Sequence, residues 1–192
     1  MSDQHAKIDS LARLQAWLRS NNIDTSEWGK GEAKTIADLL TEITNGECVL
    51  QDNPPRRIVS VAQVLIRRGE YTLIEARQEF GDGRARLRNH PLSEKIKPGE
   101  HYQEAVRRGI QEELGVPPES ISVLASSYRQ TYEETPSPSY PGLRTLYIFD
   151  IVEARVEGLP EADFWTRESG NARSDRVSTH FWEWRRAVNR LS

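Results

Sequence analysis

The stretch Lys97–Val116, KPGEHYQEAVRRGIQEELGV, limits the fold more than any other part of the chain, because it carries a helix with a defined start and stop. Pro98-Gly99 opens a turn, Glu100 and Glu104 fall in the first turn where the helix dipole favours negative charge, and Gly115 followed by Pro117-Pro118 ends it. The expected helix runs from Glu100 to Leu114. On a helical wheel Tyr102, Val106, Ile110 and Leu114 form one apolar stripe that must face a core, while Glu104 and Gln111 point to water. Glu113 stands at the edge of the stripe, and Glu112 lies further round on the same side. Two adjacent carboxylates thus look out along the border between core and solvent, where arginine pairing or a hard divalent cation would meet their need for a partner. Glu-Glu pairs also occur on many solvated helices, so the spacing has to decide.

That spacing resembles the Nudix box, G-x5-E-x7-R-E-U-x-E-E-x-G-U with U a bulky aliphatic residue. Glu100, Arg108, Ile110, Glu112, Glu113, Gly115 and Val116 fall on it in register. Two fixed positions differ: Glu94 stands where the first glycine belongs, and Gly109 replaces the glutamate of the R-E pair. The approach SEKIKPGE from Ser93 is similar to the family's GGKVEPGE with its first two glycines lost. The resemblance implies a mixed α/β (α+β) chain, a Nudix-like α/β/α sandwich around a mixed sheet, that hydrolyses nucleoside diphosphates linked to another group with Mg²⁺ or Mn²⁺. It implies that Glu112 and Glu113 are metal ligands and catalytic groups, that Glu100 is a supporting contact of the metal site, and that Arg108 orients Glu112 from one turn away. Such a site uses one or two carboxylates, waters and the substrate's phosphate oxygens, and the cation neutralises phosphate charge and activates water. The carboxylate missing at Gly109 is a ligand in the family's pattern, so the cation should be held more weakly and hydrolysis should be slow or absent. A third ligand or base would then come from elsewhere, Glu94 or Glu79 being candidates. Glycine inside a helix costs about 1 kcal/mol relative to alanine, so Gly109→Glu is expected to stabilise the helix and tighten binding, unless the glycine makes room for a bulkier ligand.

The chain is 192 residues long, enough for one domain of ordinary size and an extension. With 26 basic and 29 acidic side chains the net charge is −3, so nothing global points to nucleic acid or an acidic membrane, and any basic surface must be local. Cys48 is the one cysteine, which excludes an intrachain disulfide and a cysteine-cluster metal site and suits a reducing cytosol. No apolar run is long enough for a membrane span and Met1–Ile23 lacks a signal-peptide core, so a soluble cytoplasmic protein is expected.

Leu11, Leu14 and Leu18, with Trp17 beside them, and then Ile36, Leu39, Leu40 and Ile43, recur at helical spacing, predicting helices over Asp9–Arg19 and Glu32–Ile43. Trp28 between them reads as a packing plug. Gln51–Pro55 reads as a proline-stiffened linker, placing the boundary between a helical extension at 1–55 and a Nudix-like domain at 56–192. Val59–Arg68, apolar on both faces until its closing arginines, reads as a central strand turned by Gly69-Glu70 into Tyr71–Glu75. After the turn Phe80–Gly83, Arg84, Arg86 and Arg88 recur at period two. Guanidinium groups on one strand face repel unless acids or an anion stand opposite. Arg77, Arg84, Arg86 and Arg88 are therefore candidate phosphate holders, with pairing to Glu75 or Glu79 as the alternative. Ile121–Tyr132 and Leu143–Val156 read as long strands, and the proline-rich loop between them offers Tyr132 and Tyr140 to stack on a base. Gly158–Asn171 reads as irregular, Thr179–Trp184 as an aromatic strand leading into a helix over Arg185–Leu191, and His180 as a structural hydrogen-bonding group or a base.

Three classes of function fit. The first is a metal-dependent Nudix-type hydrolase of a pyrophosphate or nucleotide ligand, with altered activity. The second is a Nudix fold that binds a nucleotide, or RNA, without turnover. The third is an inert scaffold whose N-terminal helices make a homodimer or hold a partner.

Overall fold

A computed structural model describes residues 5–167 and 177–186. Helices α1 (Leu11–Ser20) and α2 (Ile36–Thr44) precede strands β1 (Val49–Gln51), β2 (Arg56–Arg68), β3 (Tyr71–Phe80), β4 (Ala85–His90) and β5 (Leu92–Lys95). Then come helix α3 (Tyr102–Leu114), a 3-10 turn at Pro118–Ser120, and strands β6 (Ile121–Pro136), β7 (Arg144–Val156), β8 (Phe164–Arg167) and β9 (Val177–Arg186). The chain is thus mixed α and β, with two helices ahead of the sheet. It divides into two compact units: Met1–Val61, Lys95–Gly99 and Thr131–Phe149 form the first, and Ala62–Glu94, Glu100–Gln130 and Asp150–Ser192 the second.

In the first unit both helices start where local chemistry allows. Ser10 accepts from the Arg13 N–H at the head of α1, and Thr35 and Asp38 satisfy each other's backbone N–H groups in a capping box at the head of α2. The faces these starts set inward are the apolar ones: Leu14, Trp17, Leu18 and Leu39 join Trp28, Cys48, Leu50, Val59, Val61, Tyr140 and Leu143 in one core. The leucine stripes therefore have their cover within this unit. Trp28 fills the core as expected, and its indole N–H donates to the Pro141 carbonyl at 2.8 Å. A buried carboxylate, Glu42, accepts from Lys34 at 2.6 Å, Arg57 at 2.5 Å and the Tyr140 hydroxyl at 3.0 Å. Burial works to raise its pKa, and the Arg57 charge, the Lys34 hydrogen bond and the lysine charges together outweigh it, so Glu42 is held below the usual carboxylate range. The segment read as a linker is instead a tight turn: β1 pairs antiparallel with β2, Gln51 opposite Arg56, and Asp52 accepts from the Trp17 indole at 2.6 Å. Polar residues with two prolines signal a turn as well as a linker, and local sequence does not separate the two. Gly46 has φ +70° and lies so close to Pro98 that a Cβ there would stand 1.9 Å from the ring.

The second unit holds the other end of β2, and the strands follow the order β6-β7-β2-β3-β9-β8, with β4 on β3 and β5 on β2. The expected hairpin is present, Arg67 opposite Thr72 and Arg68 opposite Tyr71, and β3 continues past Glu75 to Phe80. The two long strands after the box are β6 and β7. Phe164–Arg167, expected to be irregular, is a strand paired with β9. Arg185 and Arg186, placed in a helix by sequence, close β9, and the rest of that proposed helix lies outside the described residues.

Helix α3 ends as the sequence requires. Gly115 takes the left-handed conformation, φ 67°, that favours glycine, and returns its N–H to Gln111. It starts at Tyr102 and not at Glu100, because His101 and Glu104 together cap it. Val106, Ile110 and Leu114 are buried with Ala105 and Gly109, while Tyr102 is only half-buried and stacks on Tyr128 at 4.7 Å.

Candidate metal site

Three elements of the second unit deliver one cluster. Glu113 comes from the inner border of α3, Glu75 from β3 and His180 from β9, and one ligand atom of each lies within 4.8 Å of the others. β3 and β9 are paired antiparallel, with a bulge between Glu75 and Arg77 that shifts the alternation, so Glu75 and Gln78 both end on the side of His180. His180 Nδ1 stands 2.5 Å from one Glu75 oxygen, and Arg88 donates to the other at 3.1 Å. Burial works to raise the Glu75 pKa, but the His180 hydrogen bond and the Arg88 charge outweigh it and hold Glu75 below the usual range.

Glu113 is treated differently. Its side chain is 12% exposed, Oε2 lies 3.8 Å from His180 Nδ1, and that oxygen is enclosed without a hydrogen-bond partner. Burial first, then the charge of Glu75, pushes its carboxyl up to about 8. A cluster with one firmly ionised and one reluctant carboxylate gains a counter-charge if a cation enters. The enclosed oxygen and the donor set of two carboxylates and an imidazole fit a divalent metal ion.

The other box residues gather around Arg108. Glu100 takes its guanidinium with both oxygens, at 3.0 Å each, Glu94 accepts from Nη1 at 2.7 Å, and Glu112 lies 3.7 Å from that same nitrogen. The Glu100 hydrogen bonds, against partial burial, hold Arg108 more firmly protonated than an ordinary arginine. Glu100 is thus committed to Arg108 and stands outside the Glu75–Glu113–His180 group, as does the half-exposed Glu112.

Each candidate phosphate-holding arginine has an internal partner: Arg77 donates to Glu79 at 2.7 Å, Arg84 to Asp82 at 2.7 Å, Arg86 to Gln78 at 2.5 Å, and Arg88 to Glu75. Arg86 and Arg88 stand on the side of Glu75 and His180. Arg77, opposite Leu87 and over the Trp165 ring at 5.9 Å, stands on the other. Tyr140 is not available to stack on a base. It is 0% exposed in the core of the first unit, where its hydroxyl is committed to Glu42, because the extension supplies the Trp28 and α2 surfaces that cover it. The sequence offers Glu75 only as a pairing partner of the arginines and His180 as a structural hydrogen-bonding group or a base, and places neither at a metal site. The available signal was an acid inside the apolar run of β3, between Leu73 and Ala76, where an ionised group must have partners.

The expectation that Gly109→Glu would stabilise α3 meets a close contact that the helix wheel does not show. A Cβ at Gly109 would lie 3.0 Å from Glu94 Cβ and 3.1 Å from Leu92 Cδ2, so Glu94 or Leu92 would have to give by a few tenths of an ångström to admit a side chain there.

The NUDIX domain pattern matches residues 54–184, and the chain belongs to that family. Among solved structures the fold is similar to an Ap4A hydrolase of C. elegans in a binary complex, at 15% identity over 66% of this chain and 78% of that one, TM-score 0.36. It is similar also to a NUDIX hydrolase from Nitrosomonas europaea, at 15% identity over 65% and 71%, TM-score 0.39. A third is a bifunctional NMN adenylyltransferase/ADP ribose pyrophosphatase from Francisella tularensis, complexed with AMP and a Mn ion, at 17% identity over 78% and 41%, TM-score 0.36. No curated protein matches the sequence.

Proposed function

We propose that this chain is a divalent-cation-dependent Nudix-type hydrolase of a small-molecule pyrophosphate, specifically a nucleoside diphosphate derivative. The observation that carries the reading is Glu113, a helix carboxylate withdrawn from water beside Glu75 and His180, with an enclosed oxygen that no donor meets. Such a group is costly in a folded protein unless a cation accompanies it. Glu113 and Glu75 would hold Mg²⁺ or Mn²⁺, His180 suiting Mn²⁺ in particular, with Glu112 at the exposed border of the same helix. Once bound, the cation supplies charge neutralisation at the phosphates and an acidified water. Arg108, fixed by Glu100, keeps Glu112 in place. Arg86 and Arg88, on the side of Glu75, are the arginines that take substrate phosphates in this reading.

The working domain is 56–192 and the extension 1–55. We place the protein in the cytoplasm, since its one thiol, Cys48, is free and buried. Among the described residues no helix is long and apolar enough to cross a membrane. A Nudix fold that binds its nucleotide without turnover is the second reading, favoured by Gly109, which leaves α3 one carboxylate short of the box. Calorimetry with Mn²⁺ and Mg²⁺, beside phosphate release from a panel of nucleoside diphosphate derivatives, separates the readings. Cation binding lost in Glu113→Gln together with turnover supports the first, binding without turnover the second, and absence of cation binding in the wild type refutes the first.

A further inference from the structure

The two departures from the box touch each other. Glu94 replaces a glycine and Gly109 a glutamate, and in the fold the side chain of Glu94 lies over the bare backbone of Gly109: a Cβ at 109 would meet Glu94 Cβ at 3.0 Å and Cγ at 3.4 Å. Position 109 is one helical turn before Glu113, on the same face of α3. A carboxylate reaching over Gly109 from β5 therefore approaches the helix border that Glu112 and Glu113 occupy. One nitrogen of Arg108 fixes the approach, taking Glu94 at 2.7 Å with Glu112 at 3.7 Å. The charge of Glu94 is also among those felt by Glu113.

We propose that Glu94 is a cation-liganding carboxylate supplied by strand β5 in place of the one that helix position 109 lacks, and that Glu94 and Gly109 are a single coupled exchange. The inference rests on the cation-dependent reading above. It differs from simple loss of a ligand in a way that can be measured: the site keeps its number of carboxylates, and glycine at 109 is the steric condition for having one at 94. With Glu94 in place, a side chain at 109 crowds the Glu94 and Leu92 side chains of β5. With glycine at 94 the two Glu94 contacts are gone, and only the end of the Leu92 side chain, at 3.1 Å, is left to give way.

The test uses the full chain with Mn²⁺ as the probe, read by calorimetry, and melting temperature in chelator. Glu94→Gln keeps the shape and an acceptor for Arg108 but loses the charge. It should weaken Mn²⁺ about tenfold or more, while melting within about 2 °C of wild type. Gly109→Glu alone should lower the melting temperature, Glu94→Gly alone should weaken Mn²⁺, and the double variant Glu94→Gly with Gly109→Glu should recover both, a non-additivity that separate sites do not show. If the wild type binds no Mn²⁺, the cation reading fails and takes this inference with it. If the wild type binds, Glu113→Gln abolishes binding and Glu94→Gln leaves affinity unchanged, the ligand role of Glu94 alone is overturned. A double variant no better than the sum of the singles overturns the exchange.

Discussion

Replacing Glu113 by glutamine tests the electrostatics of the site without needing a substrate. In the metal-free fold the Glu113 carboxyl sits at about 8 against an ordinary 4.5, through burial and the neighbouring charge of Glu75. Below the lower value both folded and unfolded chains carry the proton and the group costs nothing. Between the two the unfolded chain has lost its proton while the folded one keeps it, so stability falls as pH rises, and above the upper value the loss levels off. At about 1.4 kcal/mol per pH unit, the full loss comes to roughly 5 kcal/mol, of which about 4 falls between pH 5 and pH 9. Glutamine keeps the shape and does not titrate. Urea unfolding of wild type and Glu113→Gln in chelator at pH 5, 7 and 9 should show the wild type losing ground to the variant by about 4 kcal/mol across that range. Mn²⁺ should return stability to the wild type at the alkaline end, by about 2.7 kcal/mol at a hundredfold excess over its dissociation constant, and do little for the variant. Parallel wild-type and variant stabilities from pH 5 to 9 would refute the account of an enclosed, charge-crowded carboxyl.

Three further outcomes concern the first unit. Glu42→Ala leaves Arg57 buried without its carboxylate and should cost about 3–5 kcal/mol by urea unfolding; a loss under about 1 kcal/mol would mean that the pair is effectively solvated. Gly46→Ala combines a left-handed backbone with a Cβ driven into Pro98, so a fall in stability of about 2 kcal/mol or more is expected, and a melt equal to wild type would show that the 95–99 loop yields freely. Deleting Met1–Asn53 removes the α1, Trp28 and Leu39 cover from Val59, Val61, Tyr140 and Leu143, each large apolar side chain re-exposed costing roughly 1.5–3 kcal/mol, so the truncated protein should melt far lower or aggregate; an unchanged melt would show the extension to be a detached module.

What could be read along the chain was what local physics decides. Gly115 with the prolines after it can only stop a helix. The apolar run from Val59 can only be a strand covered on both faces, and apolar residues at helical spacing betray α1 and α2. What could not be read depends on which strands lie side by side. Glu75 and His180 are 105 positions apart, and nothing near either residue says that β3 and β9 pair. The same pairing sorts the arginines. Strict period two would keep Glu75, Arg77 and Glu79 together, but the bulge after Glu75 puts Gln78 on the His180 side instead and sends Arg77 to the other. Tyr140 failed as a base-stacking candidate for a related reason: a tyrosine in a proline-rich loop looks exposed until the extension that buries it is folded.

The box positions show the limit most sharply. Taken one at a time along the chain, Glu94 and Gly109 are two losses, and two losses argue for decay. In space they are neighbours, one bringing the side chain whose volume the other gives up. Decay does not require the second change to fall where the first needs room, whereas a helix kept close to β5 by Gly109 requires it. A position-by-position comparison with the family pattern therefore undercounts what this site retains. The quantity that separates decay from exchange is the coupling between positions 94 and 109, because decay leaves the two substitutions additive in both melting temperature and cation affinity.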